Sequence, residues 1–264
     1  MKIKISSWNV NGIRARLDVL SLWIKNTDPD ILCLQETKCV NEDFPKKQFE
    51  SMGYKIYLIG QKSFNGVAIL SKYELTDVNY QLYDEREDKQ PRFIEATLNL
   101  QDNIPLKINC IYLPNGNPYP SEKFDYKIEW MDKLILRAKE NLKNETPYII
   151  LGDFNIIPTE IDVFDYNRWI DDALFTIEAR KRYRHLINLG LYDAYKLCSK
   201  KIIEYTHWDY QGGAWNNNQG IRIDHILMSP SACSIFSDMI THTDVRGTEK
   251  PSDHVPITAI FDLN

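Results

Sequence analysis

Two segments of this chain read alike. "PDILCLQET" (29–37) and "PYIILGDFN" (147–155) each open at a proline, run apolar for the length of a strand, and end on acids and amides. Unbroken apolar runs of this length imply strands covered on both faces. An ionised carboxylate at the end of such a strand is costly unless a cation or hydrogen-bond donor meets it. Together these constraints point to a layered fold whose buried strands deliver polar groups to an edge.

The rest of the chain supports that reading. Apolar runs bounded by turn residues predict strands at 2–8, 30–35, 54–60, 66–71, 92–100, 105–113, 148–154, 220–229 and 255–261. Helical spacing predicts helices over 16–26, 121–142 and 176–190, with Ile128, Met131, Leu134 and Ile135 on the core stripe of the second. Strands with a few interleaved helices predict an α/β layered sandwich, one domain across 1–264. Polar groups end or interrupt the runs at Asn9, Asn11, Glu36, Asp153, Asn155 and Asp224, and Asp253-His254 precedes the last strand in "EKPSDHVPITAIF".

Gathered on one rim, these oxygens suit Mg2+ or Mn2+. Such an ion beside an acid and an Asp-His pair suggests phosphoester hydrolysis. One acid activates water, and a histidine oriented by a second acid holds the phosphate or relays a proton. Asp224 is the candidate partner of His254.

Other classes fit less well. Neither GxxxxGK[ST] nor GxGxxG is present to cradle a nucleotide, and there is no GxSxG elbow. No lysine interrupts a core strand as a Schiff-base nucleophile would. Five cysteines without a CxxC pair argue against a disulfide framework or zinc site and for a reducing compartment. The N-terminal "MKIKISSWNV" lacks a signal-peptide core, so the expected location is the cytoplasm. A net charge of −5 argues mildly against nucleic acid, although basic residues cluster locally, as in "EARKRYRH" (178–185).

Seven segments in chain order, "SWNVNGIRAR", "LQETK", "GVAILSK", "YLPNG", "GDFN", "GIRIDHIL" and "SDHVPI", resemble the exonuclease III family of abasic-site (AP) endonucleases. The likeness runs from Ile3 to Phe261. It implies a DNase-like, four-layer sandwich of two mixed β-sheets flanked by helices. It also implies Mg2+-dependent cleavage of duplex DNA on the 5′ side of abasic sites, with 3′-to-5′ exonuclease and 3′-end cleaning; nothing in the sequence demands more than a monomer.

By the same resemblance, Glu36 is the principal metal ligand with Asn11 near it, and Asp253 belongs to a second metal position. Asp153 activates water, Asn155 and Asn9 position phosphate and acid, Tyr112 contacts the scissile phosphate, and Asp224 pairs with His254. Asn115 meets backbone phosphate, while Arg14, Lys38, Lys62 and Arg222 lie beside the motifs as DNA-track candidates. In "YTHWDYQGGAWNNNQGIRID" one of the family's two adjacent aromatics becomes His207, leaving Trp208, Trp215 and Ile221 to build the abasic-sugar pocket. Two alternatives stay open: a general DNase or small-molecule phosphoesterase on the same scaffold, and a catalytically silent nucleic-acid-binding module. Tyr112, with no histidine near its strand end, argues against the first. The retained Glu36, Asp153 and His254 argue against the second.

Overall fold

A computed structural model describes residues 2–83, 88–100, 104–198 and 203–262. The apolar runs fold as strands in two six-stranded sheets. The first holds, in spatial order, β11 (Phe236–Thr241), β12 (Ile257–Asp262), β1 (Lys2–Asn9), β2 (Ile31–Gln35), β4 (Val67–Ser71) and β3 (Lys55–Ile59). The second holds β5 (Leu75–Asn79), β6 (Phe93–Asn99), β7 (Pro105–Tyr112), β8 (Tyr148–Asp153), β10 (Asp224–Met228) and β9 (Tyr192–Asp193). Each sheet contains one parallel pair, β1 with β2 and β7 with β8. A parallel pair needs a crossover, supplied by helix α1 (Leu17–Thr27) and by helix α3 (Glu122–Leu142).

Both strand faces are apolar because both are covered. Ile31 and Cys33 meet Ile149 and Leu151 between the sheets, whereas Leu32 and Leu34 face α1 and Tyr148 and Ile150 face α3. The outer layer over the second sheet also includes helix α4 (Ile177–Asn188), which carries the basic "EARKRYRH" run. There Arg182 is a solvent-side residue paired with Asp132 of α3 through two 2.8 Å hydrogen bonds. The four-layer sandwich of two mixed sheets is the expected one. Ile128 is half-buried on the flank of α3, while Met131, Leu134 and Ile135 are buried.

Three strands escaped the sequence pattern, β5, β9 and β11, and all are edge strands. The ladders of β5 and β11 are irregular, with Asp77 at a positive φ of 50° and a register shift between Phe236 and Asp238, and β9 is only two residues long. An edge strand with one solvated side carries a weak apolar signal. The short helices α2 (Lys46–Glu50), α5 (Ala194–Leu197) and α6 (Pro230–Cys233) also went unread. Among the described residues, no helix is long and apolar enough to cross a membrane.

The topology places the polar strand ends together. Strands β1, β2, β7 and β8 end at one edge of the sandwich, and β10 and β12, running antiparallel to β8 and β1, begin there. Tyr112 and Asp224 are the register partners of Asp153 on its two sides.

Candidate active site

Strand β8 ends in Gly152-Asp153, and the glycine is required. Its φ is 150°, and a Cβ there would lie 1.9 Å from the Ile111 carbonyl oxygen of β7. The close approach seats Asp153 beside Tyr112. Asn155 then turns back at a φ of 47°, its N–H donating to Asp153 Oδ1 at 2.8 Å. Its side chain is fixed at both ends: Nδ2 donates to the Leu113 carbonyl at 2.9 Å, and Oδ1 accepts from Asn115 Nδ2 at 3.0 Å.

Asn9 joins the sheets. From the end of β1 its Nδ2 donates to Glu36 Oε1 at 2.8 Å and to Asp153 Oδ2 at 2.9 Å, while its Oδ1 accepts from the Asn11 N–H. Ser252 donates to the Asn9 carbonyl at 2.7 Å and accepts from the His254 N–H at 3.2 Å, so the "SDH" turn docks onto the end of β1. His254 Nδ1 lies 2.8 Å from Asp224 Oδ2, and its Nε2 points toward Asp153 Oδ2 at 3.8 Å. The Asp-His step before the terminal strand therefore serves as one half of a cross-sheet pair.

The electrostatics follow from this crowding. Burial, reinforced by the Asp224 and Glu36 carboxylates and offset in part by His254 and Asn9, raises Asp153 to about 7. Burial opposes charge on His254, but the Asp224, Asp153 and Asp253 carboxylates win and raise it well above the ordinary imidazole range. Tyr112 is kept as a phenol by burial and by the nearby Glu36 and Asp153 charges. The Arg92 guanidinium stacks 4.7 Å from its ring centre. Asp224 Oδ1 is buried with no hydrogen-bond partner among the described residues.

The donor set suits a hard cation. Glu36 Oε2 lies 2.7 Å from the Lys38 ammonium, which also donates to Asn11 Oδ1, and Asn11 Nδ2 donates to Asp253 Oδ1 at 3.0 Å. A positive charge thus already answers Glu36 and Asn11. Asp153, Asp224 and His254 also lie within 4.8 Å of one another through their polar atoms, but His254, held charged, offers a metal no lone pair, so the carboxylates are the ligands there. Oxygen donors of this kind favour Mg2+ or Mn2+ over softer ions.

Some sequence expectations do not survive. Arg222 is 1% exposed and bound by Asp162 and Asp193, so it cannot touch DNA. Trp208 and Ile221, at 2% and 3% exposure, do not wall an open sugar pocket. Trp208 is wedged by Tyr205 and Trp215 and bonded to Asn218, and Ile221 packs with Ile157, Val163 and Phe175. Trp215 is half-buried, and Arg14 is exposed with Asp43 3.6 Å away. His207 stacks edge-on against His254 at 4.7 Å and sets its Nε2 3.6 Å from Asp253 Oδ2.

Two clefts flank the rim. One, of about 560 Å³, holds Phe64, Arg92, Tyr112 and Asn115; the other, of about 520 Å³, lies between Phe164–Asp172 and Asp209–Gly220. Sequence reasoning missed Ser252, legible within "SDH", and Tyr210, whose hydroxyl accepts from Arg16 and donates to the Pro251 carbonyl.

Comparison with known proteins agrees with this fold. The Endonuclease/Exonuclease/phosphatase family pattern matches residues 6–254. Exodeoxyribonuclease III of Haemophilus influenzae is 35% identical over 267 residues, spanning 98% of this chain and 100% of that one. The 3′ phosphatase NExo from Neisseria, solved with a product DNA hairpin, superposes with a TM-score of 0.93 at 34% identity, covering 99% of this chain and 100% of its own. An AP endonuclease from Archaeoglobus fulgidus gives 0.91 at 35% identity, with 99% and 100% coverage. Matched from the first strand to the last, the chain belongs to the endonuclease/exonuclease/phosphatase family, in its exonuclease III branch.

Proposed function

We propose that this protein is a DNA-repair phosphodiesterase that hydrolyses duplex DNA on the 5′ side of abasic sites, with Mg2+ as its metal. It also trims 3′ ends and acts as a single-domain monomer. The observation that carries the reading is Asp153, raised to about 7 and held between Asn9, Tyr112 and His254 at the meeting of the two sheets.

Asp153 takes a proton from water as its oxygen bonds to phosphorus, and the bond from phosphorus to the 3′ oxygen breaks. The 3′ oxygen leaves as an alkoxide and takes its proton from solvent water, giving a 3′-hydroxyl and a 5′-phosphate on the abasic sugar. His254, held charged by Asp224, donates to a phosphoryl oxygen, as do the Tyr112 hydroxyl and the second N–H of the Asn155 amide. Glu36 and Asn11 would hold a divalent ion, with Asp253 at a second metal position, and bound metal would supply charge stabilisation for the leaving oxygen. Asn115 and the flanking clefts meet backbone phosphates, with Arg14 and Lys38 as nearby cations. A general-nuclease reading has one observation in its favour, the burial of Trp208 and Ile221.

The test uses a duplex with one stable abasic analogue and an intact control, each with Mg2+ or EDTA. One Mg2+-dependent cut 5′ to the analogue is expected, falling at least about 100-fold in Asp153→Asn. Equal cutting of both duplexes would favour the general nuclease. No cutting of either would overturn the hydrolase reading.

A further inference from the structure

Helix α3 carries a charged residue on its buried stripe. Phe124, Lys127, Met131, Leu134 and Ala138 follow helical spacing and all are buried, with Lys127 at 0% exposure. Its Nζ donates to the Asn155, Ala173 and Asn115 carbonyls at 2.7, 2.9 and 3.0 Å, which uses all three ammonium protons. Among the described residues, no carboxylate lies within ion-pair distance of it. Burial draws its pKa down to about 7, although Asp172 and Asp153 pull the other way.

The three carbonyls belong to separate loops, after β7, after β8 and before α4. Two come from the asparagines whose side-chain amides meet at 3.0 Å. A single ammonium therefore holds the backbones of the pair that positions the phosphate. Gly116 leaves room for it, since a Cβ there would lie 2.7 Å from Lys127 Cδ.

We infer that Lys127 is a positioning residue whose ammonium, by tying the Asn115, Asn155 and Ala173 carbonyls together, sets the Asn155 and Asn115 amides against the substrate phosphate. The inference rests on the proposed phosphodiesterase activity. A merely structural lysine would lower stability without acting through those amides, so a double-mutant cycle separates the two roles.

Lys127→Met, Asn155→Ala and the double variant are compared on the abasic duplex, with kcat and KM read separately and Tm followed. Lys127→Met is expected to lose roughly 10- to 100-fold in kcat with little change in KM, as misplaced catalytic groups do. On the Asn155→Ala background the same change should cost less than about 3-fold, since its target is already gone. An unchanged kcat, or a full loss repeated on that background, overturns the inference. Should Lys127→Met fail to fold, Gly116→Ala takes its place in the cycle, because it keeps the ammonium but crowds it away from the carbonyls. It must give the same non-additive pattern in smaller measure, and additivity there also overturns the inference. A wild type that cuts no duplex sinks the activity and this inference together, whereas a wild type that cuts with an unaffected cycle sinks this inference alone.

Discussion

Two buried charge clusters grow from one segment, "IRIDHIL", and they behave in opposite ways. Arg222 bonds Asp162 at 2.7 Å, Asp193 at 2.9 and 3.3 Å, and His225 Nδ1 at 3.0 Å, and it lies over the Tyr195 ring. Asp162 also caps Thr159, and Asp193 accepts from Tyr183 and from the Tyr195 N–H. With donors meeting both its oxygens, Asp193 stays ionised: burial works against its charge, but Arg222 lowers its pKa. Two residues along, Asp224 has one oxygen on His254 and the other without a partner among the described residues, and its neighbour Asp153 is raised to about 7. A saturated network fixes its charges, whereas an under-donated one leaves a proton free to move. Burial alone does not mark a catalytic acid.

Removing Arg222 should break the contrast hardest. Arg222→Met leaves Asp162 and Asp193 buried without their cation, and a loss of about 4 kcal/mol in urea unfolding is expected. Activity per folded molecule should change little.

Acid should expose the same cluster next. Burial and the Arg222 charge lower His225 from 6.5 to about 4, against Asp193, which raises it. The folded-state pKa lies below the unfolded one, so this stability is present above pH 6.5 and is lost as pH falls toward and through 4. The contribution is on the order of 3 kcal/mol, read as the difference in unfolding slope between wild type and His225→Gln from pH 7 to pH 4. Parallel slopes would remove His225 from the saturated network.

The smallest free-energy change, and the sharpest for function, belongs to Asp224→Asn. It should cost about 100-fold in kcat, or roughly 2.7 kcal/mol of barrier. Its unfolding midpoint should move less than that of Arg222→Met, and equal destabilisation would put both clusters in the structural class.

What the sequence disclosed was what is local. Apolar runs ending in Glu36 or Asp153 announced buried strands with a shared edge, because covering both faces of a strand leaves an unbroken apolar record. The partners of Arg222 were not legible, since Asp162 lies 60 residues away and Asp193 29 residues away in the chain. Its place within "GIRIDHIL" suggested a DNA-track cation, and only the tertiary pairing shows otherwise. Trp208 and Ile221 misled similarly: aromatic and apolar residues in a loop fit either a pocket wall or packing, and here neighbouring loops cover them. Lys127 was readable in principle, because it falls on the same helical stripe as Phe124 and Met131.

Asn9 has a consequence beyond chemistry. Its one amide group spans the interface between the sheets, bonding Glu36 of one and Asp153 of the other. Each sheet could keep its ladders and its circular dichroism while sliding slightly over the other, and that bridge would part first. Cleavage activity should therefore serve as a gauge of sheet alignment, fading in gently perturbing solvents before any spectroscopic sign of unfolding.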